Sequence, residues 1–453
     1  MQKGKEKYKY GFLNNMKFMF REQWYFEKKA FIFPIIYIIF DLAVSLIAIW
    51  LPKVVLDMIN RSVSVSVFVT NVSMITIALM IFRYFGYYTQ QEILKSTVRI
   101  LNMYFYIEKD WKILDMDYSL ASSPEGKIKI EKGHDATSRN IFVNMASFYP
   151  NIVDFVKSVV GLMSFSAIIM VLDPVILLIL LISYLADAYI SFLIQKWEHK
   201  VKDRRAEVDN KIYYILEEIN NVTFAKDIRA YDMKNWLNRT AQSFMDEKTD
   251  LENKVQTKHF MQALFEVMLY LVRNGGGYIF LIWRFITEGM SIGDFTLYFG
   301  AITGFAQWLD QIVERFKNLT NANFLIDDYR NLLDTKDILK RDKGADLPAY
   351  DEPVELVLEN VCFSYEGSDR LVLDNINLKI SKGEKLAIVG ANGAGKTTLI
   401  KLICGLLLPV SGRILMNGTD IREFNRDDYY SLITAVFQNV SLLPMSIAQN
   451  ITF

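Results

Sequence analysis

The chain has 453 residues, enough for about three domains of ordinary size. Its 51 Lys and Arg balance 51 Asp and Glu, which leaves no overall basic footprint for nucleic acid, and 52% hydrophobic with 14% aromatic residues exclude a disordered chain. The two cysteines, Cys362 and Cys404, exclude a disulfide scaffold and read as reduced thiols on the cytosolic side, while a mean hydropathy of +0.16 is too polar for a chain that is all membrane and too apolar for an ordinary soluble one. A chain partly in the bilayer and partly in water is implied.

Charge-poor stretches locate the membrane, because a spanning helix needs roughly 20 mainly apolar residues to cross about 30 Å of hydrocarbon. Six are expected, approximately at residues 31–51, 65–86, 152–172, 175–195, 260–283 and 292–312. The first follows Lys28 and Lys29, lacks a small-residue cleavage site and is too long for a signal-peptide core, so it stays in the mature chain. Lys and Arg collect in the first 29 residues and between the fourth and fifth spans, whereas the three short outer links carry almost none. Both termini are therefore expected in the cytoplasm of a multi-pass cell-membrane protein. The aromatic and basic stretch 8–24 reads either as an amphipathic helix along the inner interface or as a flexible basic tail.

The internal connections 87–151 and 196–259 are long, about 65 residues each. Between Pro174 and Gly275 there is no glycine or proline, so the fourth and fifth spans should continue as helices some 35 to 40 Å into the cytosol. A turn is expected at 220–223, with helix-capping residue types ahead of 227–236, and an equivalent tip at 119–126, where Ser122-Ser123-Pro124-Glu125-Gly126 breaks the helical pattern. Charges within or near the spans, Asp41, Asp187, Glu266, Arg273, Arg83, Asp154, Asp294 and Asp310, read as structural pairs or snorkelling groups, with contact to a transported substrate as the alternative. The Gly275-Gly276-Gly277 triplet reads as close helix packing or a kink before a substrate contact.

Residues 1–333 are thus assigned to a six-helix membrane domain and 334–352, charged and broken by Gly344 and Pro348, to a linker. From 353 to 453 short strand patterns appear at 354–358, 361–365, 376–380, 386–389, 413–416 and 433–437, with helical text at 397–407, as in an α/β domain. Gly390-Ala391-Asn392-Gly393-Ala394-Gly395-Lys396-Thr397 fits the phosphate-binding loop in its required context of strand, loop and helix. Its glycines let backbone amides wrap a polyphosphate at a helix N-terminus, Lys396 neutralises the β and γ phosphates, and the Thr397 hydroxyl completes the shell of a magnesium ion, with Thr398 following.

With this loop and the apolar spans before it, the chain resembles an ABC transporter of the exporter type, in which a six-span transmembrane domain with long cytoplasmic helix extensions precedes an α/β P-loop, RecA-like ATPase domain. Val361-Cys362-Phe363-Ser364-Tyr365, ending 25 residues before Gly390, resembles the segment whose aromatic stacks on adenine. Pro409-Val410-Ser411-Gly412-Arg413-Ile414 with Asn417-Gly418 resembles the family's turn and strand hairpin, and Gln438 its glutamine-loop residue, whose amide touches magnesium and the attacking water. The resemblance implies ATP and Mg2+ as cofactors, with Tyr365, Gly390, Ala391, Asn392, Gly393, Ala394, Gly395, Lys396, Thr397, Thr398 and Gln438 at the nucleotide and Thr397 and Gln438 at the metal. It also makes 119–126 and 221–236 the coupling helices.

The family's LSGGQ-type signature, Walker B aspartate, catalytic glutamate and switch histidine follow the glutamine loop and do not occur among these 453 residues; His134, His199 and His259 all lie in the membrane half. The nucleotide domain therefore reads as C-terminally truncated, without an assigned catalytic residue and without sustained ATP hydrolysis of its own. A dimerising half-transporter, as homodimer or heterodimer, exporting an unidentified substrate through lipid is the leading expectation. Two alternatives stand beside it, a degenerate nucleotide-binding subunit of a heterodimer and a non-transporting membrane sensor. The absence of a cysteine before Cys362 argues against an N-terminal cysteine-peptidase domain.

Overall fold

A computed structural model of the chain describes residues 9–138, 144–220, 224–348, 352–368, 370–436 and 443–451. The chain divides into two compact units, one formed by residues 29–93 and 151–317 and the other by 9–28, 94–138, 144–150 and the described residues from 318 onward.

The first unit is all helix. Three stretches, Lys28–Asn60, Val65–Asp115 and Met145–Val171, are long and apolar enough to cross a bilayer among the described residues, and Pro174–Tyr184 is a shorter apolar helix. The other expected spans lie within the continuous helix Pro174–Asn220, the pair Lys234–Tyr270 and Gly276–Glu288, and the helix Ile292–Leu333. Leu42, Phe165, Ile169, Leu180, Leu281 and Phe305 bury one another in its core. Large apolar side chains such as Met74, Met80, Met163, Val171 and Ile279 face outward, an arrangement that would aggregate in water and that hydrocarbon accepts.

Among the described residues several charges of this unit are paired, while the side chains of Asp187 and Arg273 lie outside the described set. Lys157, buried, donates from Nζ to the Tyr37 hydroxyl at 2.6 Å and lies 3.2 Å from the Asp41 carboxylate and 3.4 Å from that of Asp154. Asp294 pairs with Lys53 and accepts from the Ser291 hydroxyl, and Asp310 accepts from Tyr184. These are the structural pairs expected of charge in an apolar surround. At the glycine triplet, a π-helical turn over Leu271–Gly275 precedes the helix Gly276–Glu288; a Cβ on Gly277 would meet Ile302 at an ordinary 3.6 Å and one on Gly275 or Gly276 would meet nothing within 4 Å, so close packing does not require these glycines.

Without glycine or proline to interrupt it, Pro174–Asn220 runs as one helix of 47 residues. It pairs with Lys234–Tyr270 through Arg204 to Glu247, Arg205 to Glu252 and Lys248 to Asp209, over a small core of Ile215, Leu237 and Ala241. The helix stops at Asn220 and a short one, Ala225–Ala230, follows; residues 221–223 of the expected turn lie outside the described set.

In the second unit a helix, Phe12–Phe26, covers most of the aromatic and basic stretch, and its buried face carries Asn15, Met19, Glu22 and Gln23. Asn15 donates to Asn323 at 3.0 Å and Gln23 to Ser96 at 2.7 Å, while Leu13, Trp24 and Tyr25 point outward. The C-terminal part is a four-stranded antiparallel sheet in the order β2-β1-β3-β4, with β1 Leu356–Phe363, β2 Leu373–Ile380, β3 Ser411–Met416 and β4 Thr419–Asp420. Asn417 and Gly418, both at positive φ, close the tight β3–β4 hairpin. The expected strands 354–358 and 361–365 are one strand, because Asn360 at φ 49° forms a bulge that keeps the ladder continuous across the break in alternation.

Two expected strands do not form. Residues 386–389 and 433–436 are extended without ladder partners, and Val389 and Val436 are exposed. An apolar run that reads as a buried parallel strand needs neighbours on both edges, and no described strand lies beside either run. Phe437 lies outside the described residues. The expected helix 397–407 is shorter, Lys396–Ile403, ending before Gly405 at φ 70°.

Candidate functional site

The P-loop is built by two glycines in the left-handed region and a helix that starts on Lys396. Gly393 has φ 80° and Gly395 φ 88°, values that a side chain opposes, and a Cβ on Gly395 would come within 2.8 Å of Leu373. The amide of Ala394 donates to the carbonyl of Ala391 at 3.2 Å, closing the turn over Asn392 and Gly393. Buried Leu399 and Leu402 anchor the helix Lys396–Ile403 on the sheet core with Leu358, Val361 and Ile414. Lys396 folds back over the loop, its Nζ donating to the carbonyls of Gly390 and Ala391 at 2.8 Å each. A cation clasped at the mouth of a glycine loop and a helix N-terminus behind it make an anion-binding concavity.

Tyr365, expected from the family resemblance, stands beside the helix that follows this loop. Its hydroxyl lies 3.1 Å from that of Thr398, its ring meets Phe363 edge to face at 5.0 Å, and it stays nearly half exposed, leaving ring surface for a base. Thr397, on the first turn of the helix, is exposed and offers one hydroxyl oxygen. Magnesium keeps several waters and phosphate oxygens and takes few protein ligands, so this donor suits it; no group of three or more His, Cys, Asp or Glu that could hold a metal occurs among the described residues. Gln438 lies outside the described residues.

Sequence reasoning missed a clamp beside this site. Asp117 is buried, and its carboxylate accepts from the amides of Ile338 at 2.6 Å and Leu339 at 3.0 Å and from Arg426 at 2.9 Å. Arg341 grips the Asp115 carboxylate with both terminal nitrogens and reaches Asp427 at 3.0 Å. These hydrogen bonds from Arg341 hold the Asp115 carboxyl below the usual range, and Arg341 is raised in turn. The expected linker is therefore a fixed strap here, tied also by Ala345 to the Glu423 carbonyl at 2.9 Å. Immediately after the clamp come the short helix Tyr118–Ser122 and, capped by the Ser123 hydroxyl, the helix Pro124–Ala136, at the tip expected from Ser-Ser-Pro-Glu-Gly. Tip residues Ser119, Ser122 and Pro124 share a cavity of about 510 Å³ with Tyr365, Leu408 and Val410. The missed signal was Asp115 and Asp117, two acids just ahead of the breaker run.

Fold and site together define a P-loop nucleotide-binding segment on the chain of a helical membrane protein. Residues 373–451 match the family model described as ABC transporter. Over most of its length the chain is similar to ABC exporters. It is 26% identical over 353 residues to the subtilin transport ATP-binding protein SpaT of Bacillus subtilis, covering 76% of this chain and 56% of that one. To the beta-(1→2)glucan export ATP-binding/permease protein NdvA of Brucella suis biovar 1 it is 28% identical over 310 residues, 65% of this chain and 48% of that one. The chain thus spans about half the length of these curated relatives. A bacterial Atm1-family ABC exporter, solved with ATP bound, shares the fold with a TM-score of 0.70 at 14% identity, over 89% of this chain and 70% of that one.

Proposed function

We propose that the chain is a half-transporter that dimerises and drives export of a solute across a membrane with ATP. The observation that carries this is the hydrogen bond from Tyr365 to Thr398, which brings the candidate base-stacking ring to the P-loop in a polypeptide rich in long apolar helices. Adenine stacks on Tyr365, the amides of 391–396 wrap the phosphates, and Lys396 exchanges two loop carbonyls for phosphate oxygens. The Thr397 hydroxyl and Gln438 would hold magnesium, which would supply neutralisation of phosphate charge when bound. Six spans with cytoplasmic termini then present the tips at 118–126 and 221–236 as coupling elements, and closure of two nucleotide domains shifts the membrane helices.

Equilibrium dialysis should show ATP binding by wild type and its loss in Lys396→Ala, and in inside-out vesicles that supply a partner half-transporter with the signature and catalytic glutamate, ATP-dependent solute uptake should follow the same pattern. Uptake that survives Lys396→Ala would refute the reading. A subtilin-type peptide is the first solute to test, because the SpaT similarity extends well beyond the nucleotide segment.

A further inference from the structure

The end of the helix Ile292–Leu333 is gripped by the start of the chain. Asn323, Asp327 and Arg330 share one face of that helix, Asp334 follows directly after it, and each meets a residue between 9 and 18. Lys9 pairs with Asp334 at 2.8 Å, and the Tyr10 amide donates to the buried Asp327 carboxylate at 2.9 Å. Asn15, fully buried, donates to Asn323 at 3.0 Å and accepts from Arg330 at 2.8 Å, so both ends of its side-chain amide are used. Arg330 also donates to Asn14 at 2.7 Å, and its guanidinium carbon lies 3.5 Å from the Tyr10 ring centroid and 4.9 Å from that of Phe18. A cation is thus held against two aromatic rings while its N–H groups are satisfied.

These contacts are polar or cation–π, and a cavity of about 710 Å³, lined in part by Lys9, Asp327, Asn331 and Asp334, opens beside them. Water can therefore replace the partners without an apolar core being exposed. The helix Phe12–Phe26 is anchored separately through buried Met19 and the bond from Gln23 to Ser96 at 2.7 Å, so its first turn can let go while the rest stays seated. We propose that residues 9–15 form a latch that closes on the end of the helix Ile292–Leu333 and sets how firmly the strap beginning at Asp334 is held. The exposed Lys9–Asp334 pair contributes little by itself, so closure depends on the planar guanidinium of Arg330 stacked on Tyr10. The latch does not depend on the nucleotide-binding reading.

Hydrogen exchange on the full chain in lipid nanodiscs, without nucleotide, tests it from both sides. Tyr10→Ala removes the stacked ring and leaves every side chain of the long helix in place; it should speed exchange of the 327–334 amides by about fivefold, as loss of a partly desolvated cation–π contact implies. Tyr10→Phe, which keeps the ring, should match wild type. Arg330→Lys keeps the charge and loses the fork and the flat face, so it should speed exchange at 327–334 at least as much and at 12–18 as well. The acceleration should stop before Ile338 and Leu339, whose amides Asp117 holds, and leave 292–312 unchanged. Unchanged 327–334 exchange in Tyr10→Ala overturns the latch, whatever Arg330→Lys does to folding. Acceleration confined to 9–18, or spread equally through 292–312, overturns it as well, because the first shows that the N-terminal segment holds nothing and the second that the whole helix has loosened.

Discussion

Tyr365 has two separable contributions, a ring face and a hydroxyl. Replacing it with Ala removes both, and loss of a base stack of roughly 1 to 3 kcal/mol should weaken ATP binding about 5- to 150-fold. Tyr365→Phe keeps the face and loses only the bond to Thr398, so its Kd, read by equilibrium dialysis, should stay within about fivefold of wild type. A Phe variant as weak as Ala would place the base elsewhere. Gly412 is a stability position of a different kind. At φ 83°, with an added Cβ only 2.3 Å from the Asn360 carbonyl oxygen, Gly412→Ala should lower stability by roughly 1 to 3 kcal/mol in a denaturant melt of the purified protein. The residue pattern foretold a turn there, and the bulge at Asn360 opposite is what forbids the methyl.

The clamp between the first tip, the strap and the helix Arg426–Ser431 is where elements meet through charge. Asp117 and Arg426 are both buried, so Asp117→Ala removes the buried carboxylate of Arg426, leaves it the exposed Asp427 and Asp115, and should destabilise by roughly 1 to 3 kcal/mol, whereas the double variant with Arg426→Ala should lose less than the sum. Additive losses in urea melts would show that the pair does not act as a unit. The exposed partner behaves differently with pH. Because Arg341 depresses the Asp115 carboxyl, their pairing contributes fully above the unfolded-state value near about 4 and fades as pH falls through the lower folded value. The Tm difference between wild type and Arg341→Met should be constant from neutral pH down to about 5 and close in strong acid. A gap that persists at pH near 2 would mean that Arg341 acts through packing alone.

At the scale of the molecule, legibility followed the range of the interaction. The glycine loop before Lys396, the first tip and the uninterrupted helix Pro174–Asn220 are local statements in glycine, proline and capping residues, and the helices that flank them begin and end close to where the sequence puts them. Residues 386–389 and 433–436 were misread because an apolar run records only that a segment wants burial, while a strand requires partners that the run does not name. Arg341 and Arg426 escaped for the same reason: nothing nearby in sequence points to Asp115 or Asp117, more than 200 residues away. In the membrane half the sum of apolar length suggested six crossings, and helices run through all six stretches, with three meeting the length and apolarity of a span among the described residues. Proposed cytoplasmic placement of 196–259 predicts that trypsin added to inside-out vesicles cuts this Lys- and Arg-rich stretch, and that the same enzyme spares it in intact cells; the reverse pattern would invert the topology.

The helix Pro174–Asn220 has no residue that invites a joint, and at 1.5 Å per residue its 47 residues make a lever of about 70 Å. A tilt of only about 5° about the Pro174 end sweeps the Asn220 end through roughly 6 Å, more than a full helical turn. Gearing of this kind works in both directions, so a modest push at the tip becomes a small, forceful rotation among the apolar side chains near Pro174. Inserting a Gly-Pro pair midway would give the lever an elbow, and the push would be spent in bending it.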